Sequence, residues 1–178
     1  MLSTDPYAAL PVVPEFTLTS ATLADGGRMP LPQISATLGT GGGDRTPQLS
    51  WSGAPEGTRS FALTCFDPDA PTASGFWHLA AFNLSPELTS LPEGAITLDA
   101  VAPEYASAFS LLRNDGGVRG YLGSAPPEGH GDHRYMFVVH ALDVDALELD
   151  ELASPAYLGF NMFGHTLGRA RLTGVFGR

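Results

Sequence analysis

Apolar residues in this chain come in short runs that are separated by turn-forming residues. The clearest run, 135–142, is apolar at both alternating sets of positions except at His140, so we expect a central strand that is covered on both faces. Other runs predict further strands at 16–19, 48–51, 60–66, 78–84 and 172–176. This pattern predicts a mainly β fold with one or two short helices, the clearest near the C-terminus.

That C-terminal helix has a definite start and a periodic face. Ser154 can cap its first turn, and Pro155 suits its first position. Apolar residues then recur at helical spacing, at Ala156, Phe160, Phe163, Leu167 and Ala170. The pattern therefore predicts a helix that continues to about residue 170, followed by a last strand.

Composition supports one turn-rich domain. The chain has 178 residues, of which 43% are hydrophobic, with 21 Gly and 15 Pro. This is enough chain for a substantial core, and the many turn formers argue against a helical bundle. We expect a single domain over residues 16–178, preceded by an irregular arm over residues 1–15.

Charge and cysteine content exclude several classes of function. The net charge is -10, so there is no basic surface for nucleic acid, and the protein is not expected to bind it. No apolar stretch is long enough to span a membrane, and the first residues lack the features of a secretory signal. The single Cys65 lies in an apolar run and predicts a buried, inert thiol. Together these features favour a cytoplasmic protein.

The most informative motif lies between two predicted strands. The segment Asp67-Pro68-Asp69-Ala70-Pro71 follows the run 60–66, and His78 opens the run 78–84. If these strands pair antiparallel, Asp67 and His78 lie at the same end of one sheet. Asp67 could then accept a hydrogen bond from one nitrogen of His78 and leave the other nitrogen as a donor into a small polar pocket.

Four motifs in order resemble the phosphatidylethanolamine-binding protein family, in particular its bacterial branch related to the Raf kinase inhibitor proteins. They are the Asp-Pro-Asp-Ala-Pro segment at 67–71, Trp77-His78, Gly120-Tyr121-x-Gly123, and the segment from Pro126 to Tyr135 that contains His133-Arg134-Tyr135. The resemblance covers roughly residues 16 to 176. It implies an antiparallel β-sandwich of Greek-key type, and a protein that binds small ligands without catalysis or cofactor.

The resemblance also implies a ligand site. Five residues would surround a cavity for phosphate- or carboxylate-bearing ligands such as phospholipid head groups, namely Asp67, His78, Pro127, His133 and Tyr135. Histidine and tyrosine side chains can donate to an anion at short range, which an acidic chain requires. Four further residues are candidates for the wall or rim of the pocket, namely Asp69, Trp77, Gly123 and His130.

Details of the surrounding loops carry their own expectations. Asp69 is expected to cap the loop backbone rather than contact ligand, and Arg134 to make structural hydrogen bonds behind the pocket. The bond between Ala70 and Pro71 is predicted to be cis, as is common at the matching position of the family. His140 is expected to be a satisfied or partly exposed strand residue.

Other functions and assemblies stay open at this point. The family implies a protein inhibitor of kinases or serine proteases, and the bacterial branch implies a homodimer. A metal-dependent hydrolase could use Asp67, Asp69, His78 and His133, although no metal-binding spacing is present. A serine hydrolase is disfavoured, because no Gly-x-Ser-x-Gly motif is present.

Overall fold

The fold consists of two antiparallel β-sheets, described by a computed structural model of residues 5–178. The smaller sheet has the order β1-β2-β5 and is formed by β1 (Thr17–Thr19), β2 (Leu49–Ser52) and β5 (Ser90–Leu91). The larger sheet has the order β6-β4-β3-β7-β8 and is formed by β3 (Ser60–Asp67), β4 (Phe76–Leu84), β6 (Ser110–Leu111), β7 (His133–Leu142) and β8 (Thr166–Phe176). One α-helix of the described chain, α1 (Pro155–Met162), lies near the C-terminus, so the predicted fold class is confirmed.

The main core fills the space between the two sheets. Alternate residues of the larger sheet meet side chains of the smaller one, such as Leu49 and Trp51 of β2. Cys65 is fully buried in this core, and burial raises the pKa of its thiol well above the ordinary value. The cysteine is therefore the buried thiol that the sequence predicts.

β7 is an interior strand of the larger sheet, between the middle strand β3 and the edge strand β8. It pairs with β3 on one side and with β8 on the other, and all but one of its residues are buried. Its second face lies under the N-terminal arm, where the ring of Tyr7 is 6.1 Å from that of His140, and beside the helix, where Leu142 joins Leu158 and Met162 in a smaller core cluster. The predicted burial on both faces is confirmed, but the middle strand of the sheet is β3.

The helix is shorter than its sequence pattern predicts. It begins at Pro155, capped by Ser154, but ends at Met162, and the chain enters β8 at Thr166. Residues 166–176 pair with nearly the whole of β7, which satisfies backbone groups that a longer helix would leave open on that strand. The helical spacing is misleading for a second reason: the predicted apolar face is largely in solvent, with Phe160 73% and Phe163 59% exposed.

The N-terminal arm follows the outer strand. Residues 1–4 lie outside the described part of the chain, and Pro6–Ala9 forms a short 3-10 helix. The arm then runs beside β8, where Arg169 exchanges backbone hydrogen bonds with Pro14 and Phe16. The arm therefore covers part of the open edge of the larger sheet.

The loop between β3 and β4 turns without a cis peptide bond. All described peptide bonds are trans, so the prediction for Ala70–Pro71 is wrong. The chain reverses by other means: the backbone N–H of Asp69 donates to the Asp67 carboxylate, and Gly75 adopts a positive φ of 70°. Within residues 5–178, no helix is both long and apolar enough to cross a membrane.

Candidate functional site

Three neighbouring strands bring the predicted ligand residues to one cavity, which we call the Asp67 cavity. β3 ends at Asp67, β4 begins at Phe76, and β7 begins at His133, so these three strand termini lie side by side at the same end of the sheet. The cavity has a volume of about 180 Å³. All five predicted ligand residues line it, namely Asp67, His78, Pro127, His133 and Tyr135.

A β-bulge aims His78 into this cavity. Leu79 pairs with Cys65 and Trp77 pairs with Phe66, so His78 is an extra, unpaired residue on β4. A bulge shifts the alternation of side chains between the two faces of a sheet. As a result, His78 lies on the same face as Asp67, whereas Trp77 lies on the opposite face and packs on Phe66 with 4.4 Å between ring centroids. The prediction that Trp77 forms a wall of the pocket is wrong.

Asp67 is hydrogen-bonded to His133 and not to His78. Its Oδ2 accepts from Nδ1 of His133 at 2.7 Å, and its Oδ1 accepts from the backbone N–H of Asp69 at 2.8 Å. Nε2 of His133 lies 2.8 Å from Nδ1 of His130, which is exposed. A hydrogen-bonded chain therefore links the buried Asp67 carboxylate to the surface through two imidazole rings, and the predicted Asp67–His78 bond is wrong.

The orientation of His78 is set by a backbone carbonyl. Its Nδ1 donates to the carbonyl oxygen of Leu122 at 2.6 Å, so a neutral ring carries its lone pair on Nε2. Burial lowers the pKa of His78 below its ordinary value, which favours the neutral ring. At neutral pH, Nε2 of His78 is therefore an acceptor rather than the donor that the sequence predicts.

Aromatic rings complete the lining. The ring of His78 lies between those of Phe76 and Tyr135, at centroid distances of 4.9 Å and 5.1 Å. Burial raises the pKa of the Tyr135 phenol, so its hydroxyl keeps its proton and can donate. Phe76 lines the cavity but is missed by sequence reasoning, because its side chain carries no chemistry that would single it out.

Two of the rim candidates support the site from behind. The Asp69 carboxylate accepts from Nε and Nη2 of Arg134, at 2.7 Å and 2.8 Å, and also from the Arg134 backbone N–H. This pair ties the loop after β3 to the start of β7, as expected for a structural Arg134. His130 does not line the cavity but contacts it through His133.

Gly123 is a structural residue rather than a wall. A Cβ at this position would lie 2.4 Å from the backbone of Ile34, so only glycine fits against that segment. Its N–H donates to the buried carboxylate of Asp44 at 2.7 Å, which fixes the start of the loop that carries Pro126 and Pro127. Sequence reasoning missed Asp44, because its position after three glycines predicts only a flexible loop.

The donor set does not assemble a metal centre. Among residues 5–178, no group of three or more His, Cys, Asp or Glu residues has a geometry suited to a metal ion. The carboxylate oxygens of Asp67 and Asp69 are instead used by His133, Arg134 and backbone N–H groups. The arrangement can offer hydrogen bonds and a proton to a small ligand.

Comparison with known proteins finds the same fold and family. The family model described as phosphatidylethanolamine-binding protein matches residues 19–177. UPF0098 protein YbhB of Escherichia coli K12 is 42% identical over 159 residues, which cover 89% of this chain and 98% of that protein. The crystal structure of E. coli YbcL, described as a new member of the mammalian family, superposes with a TM-score of 0.86 at 36% identity and covers 93% of this chain and 99% of that one. A homologue from Chlamydia trachomatis superposes with a TM-score of 0.75 at 29% identity, over 92% and 98% of the two chains.

Proposed function

Because the chain belongs to the phosphatidylethanolamine-binding protein family, we propose that the Asp67 cavity binds small oxyanions, such as the phosphate of a phospholipid head group, without catalysing their conversion. The observation that carries this proposal is the convergence of His78, His133 and Tyr135 on one small cavity. Each side chain can form a short-range hydrogen bond to a phosphate or carboxylate. Such bonds are required because the net charge of -10 opposes an anion at long range.

Binding in this cavity is coupled to a proton. The neutral ring of His78 presents a lone pair on Nε2, which would repel an anion oxygen. Either His78 takes up a proton, or the ligand brings one, as a hydrogen phosphate does. Both routes favour a ligand that carries a proton near neutral pH over a fully ionised anion.

His133 can donate to a ligand only after one of its present hydrogen bonds is exchanged. Both of its nitrogens are engaged, one by Asp67 and one by His130. The hydrogen bond to Asp67 holds the ring of His133 in its orientation toward the cavity. His130 is exposed, so it can move aside and allow Nε2 of His133 to donate to the ligand.

Calorimetry with phosphoethanolamine on matched variants tests the proposed function. Loss of one charge-assisted hydrogen bond costs about 1.5 to 3 kcal/mol, so His78→Ala and His133→Ala should each weaken binding about tenfold or more. His165→Ala is the control, because His165 is exposed and pairs with Asp143 outside the cavity. Unchanged affinity in both cavity variants would rule out this site.

A homodimer is the assembly that we propose. The helix α1 presents Tyr157 and Phe160 to solvent, and their rings are stacked with 6.0 Å between centroids. Phe163, which caps the end of the helix, is also exposed. Adjacent exposed aromatic residues form an apolar surface that can pair with its own copy about a two-fold axis. Light scattering should give twice the mass of 18.7 kDa, and Phe160→Ser should reduce it to the monomer mass. A monomer mass for the unmodified protein at micromolar concentration would exclude the dimer.

A further inference from the structure

A second cavity lies on the opposite face of the larger sheet, and we call it the His140 cavity. It has a volume of about 300 Å³ and a mostly apolar lining. The sheet contributes Phe66 and Trp77, the helix α1 contributes Gly159 and Met162, and the N-terminal arm closes one side with Tyr7. Three separate segments therefore enclose this space.

The polar residue at its base is His140, which is 4% exposed. Nε2 of His140 lies 3.4 Å from the hydroxyl of Thr64, while Nδ1 is buried with no hydrogen-bond partner among residues 5–178. Burial, and to a smaller extent the nearby charge of Arg169, lowers the pKa of His140 to about 3. The ring is therefore neutral. If the Thr64 hydroxyl donates to Nε2, then Nδ1 carries the proton and is a free donor.

Arg169 supplies a second unpaired donor and a positive charge. It pairs with His140 across β7 and β8, lines the same cavity and is 8% exposed. Its Nη1 donates to the carbonyl oxygen of Pro11, but Nε is buried without a partner in the described chain. Within residues 5–178 it has no carboxylate partner, in contrast to Arg171, which pairs with Asp5 and Glu15. A buried cation without a counter-charge is unfavourable, so an anionic group should be stabilised beside it.

We propose that the His140 cavity binds a small carboxylate with an apolar body. The carboxylate oxygens would accept from Nε of Arg169 and Nδ1 of His140, and the apolar body would lie between Trp77 and Met162. A cavity of about 300 Å³ lies at the small end of ligand pockets, which suits a medium-chain or aromatic monocarboxylate and not a full phospholipid. This site is separate from the Asp67 cavity and does not depend on its function.

Octanoate is a suitable probe, with 1-octanol as its uncharged counterpart. Binding is measured by calorimetry and by Trp fluorescence, because Trp77 lines the cavity whereas Trp51 lies in the core between the sheets. Octanoate should bind, and octanol should bind at least about tenfold more weakly, since it lacks the charge that Arg169 recognises. Equal binding of the two compounds, or no binding of octanoate, would overturn the proposal.

Variants of two glycines and two arginines locate the binding. A Cβ at Gly159 meets no atom within 4 Å, so Gly159→Leu should fill the cavity without strain and abolish octanoate binding. Gly164→Leu is its control, because Gly164 is equally open but lies outside the lining. Arg169→Gln should weaken octanoate about tenfold or more, and Arg171→Gln should not. If Arg169→Gln does not fold, Gly159→Leu decides the question by itself.

The Asp67 cavity is the alternative location for octanoate. If the proposal holds, His133→Ala leaves octanoate affinity unchanged, and Gly159→Leu leaves phosphoethanolamine affinity unchanged. Octanoate binding that survives Gly159→Leu, or that is lost in His133→Ala, would place octanoate in the Asp67 cavity and overturn the proposal. A failure of phosphoethanolamine binding alone would affect only the proposed function.

Discussion

The two cavities lie on opposite faces of the same sheet, and consecutive residues of the same strands line them. Asp67 and His78 line the Asp67 cavity, whereas Phe66 and Trp77 line the His140 cavity. In the first, polar side chains are bonded to one another or to the backbone, as in the chain from Asp67 through His133 to His130. In the second, donors of buried side chains have no partner in the described chain.

This difference predicts two modes of recognition. In the Asp67 cavity, a ligand must compete with existing hydrogen bonds or change the protonation of the site, so its affinity should follow pH. In the His140 cavity, the charge of Arg169 is permanent and the buried donors are unpaired, so affinity should depend on shape and on the presence of a carboxylate. Buried donors without partners also carry a stability cost that the first cavity avoids.

The largest expected effect concerns acid stability and His140. The unfolded chain protonates this histidine near its ordinary pKa of 6.5, whereas the folded pKa is about 3. The unfolded state therefore binds more protons between these values, and the free energy of unfolding falls by about 1.4 kcal/mol for each pH unit below 6.5. Urea unfolding at pH 6.5 and pH 4.5 should show that the unmodified protein loses about 2 kcal/mol more than His140→Met. An equal loss in His140→Met would contradict a buried neutral His140.

The next effect distinguishes the two cavities by how the affinity for their ligands depends on pH. Sulfate stays a dianion near neutral pH, so its binding in the Asp67 cavity requires a proton on His78, whose pKa burial lowers. Sulfate affinity should therefore fall about tenfold for each pH unit between about pH 6 and pH 8, while octanoate affinity should stay level. Phosphate should lose less than sulfate, because its own proton can be donated to Nε2 of His78. Parallel curves for sulfate and octanoate would remove the distinction between the two cavities.

A smaller effect is expected from the link between Asp67 and His133. Asp67→Asn should weaken phosphoethanolamine binding about tenfold, because an amide accepts the hydrogen bond from Nδ1 of His133 more weakly than a carboxylate and holds the ring less firmly in its present orientation. Asp143→Asn is the matched control, since Asp143 pairs with the exposed His165. Calorimetry on both variants measures the difference. Tighter binding in Asp67→Asn would mean that the Asp67 charge repels the ligand more than it supports His133.

The sequence predicts which residues line the Asp67 cavity better than it predicts the hydrogen bonds among them. Antiparallel pairing of two motif-bearing strands is enough to bring Asp67 and His78 to one sheet end. Asp67 pairs with His133 because of the bulge at His78 and the register of β7. Both features depend on packing between residues that are far apart in the sequence. Residue types and spacing carry no information about such a bulge.

The His140 cavity could not be predicted from the sequence. Its walls come from the arm, the helix and four strands, and no motif links them. The expectation that His140 is a satisfied or partly exposed residue is wrong, because the shorter helix and the arm together bury it without a partner for Nδ1. The predicted helix to residue 170 also hides the cavity, because it would leave no strand to place Arg169 opposite His140.

The smallest expected effect is the change in stability when a side chain fills the His140 cavity. Replacing glycine in a helix by leucine gains about 1 kcal/mol of stability from helix propensity, provided that the side chain meets no obstacle. Gly159→Leu should therefore raise the free energy of unfolding by about this amount, since its side chain enters the His140 cavity and buries apolar surface against Met162. Gly164→Leu, in the turn after α1, should change stability by less than about 0.5 kcal/mol. Urea unfolding compares the two variants. A destabilised Gly159→Leu would mean that the His140 cavity closes in solution. The contrast between a hydrogen-bonded network on one face of the sheet and an empty pocket on the other would then not hold.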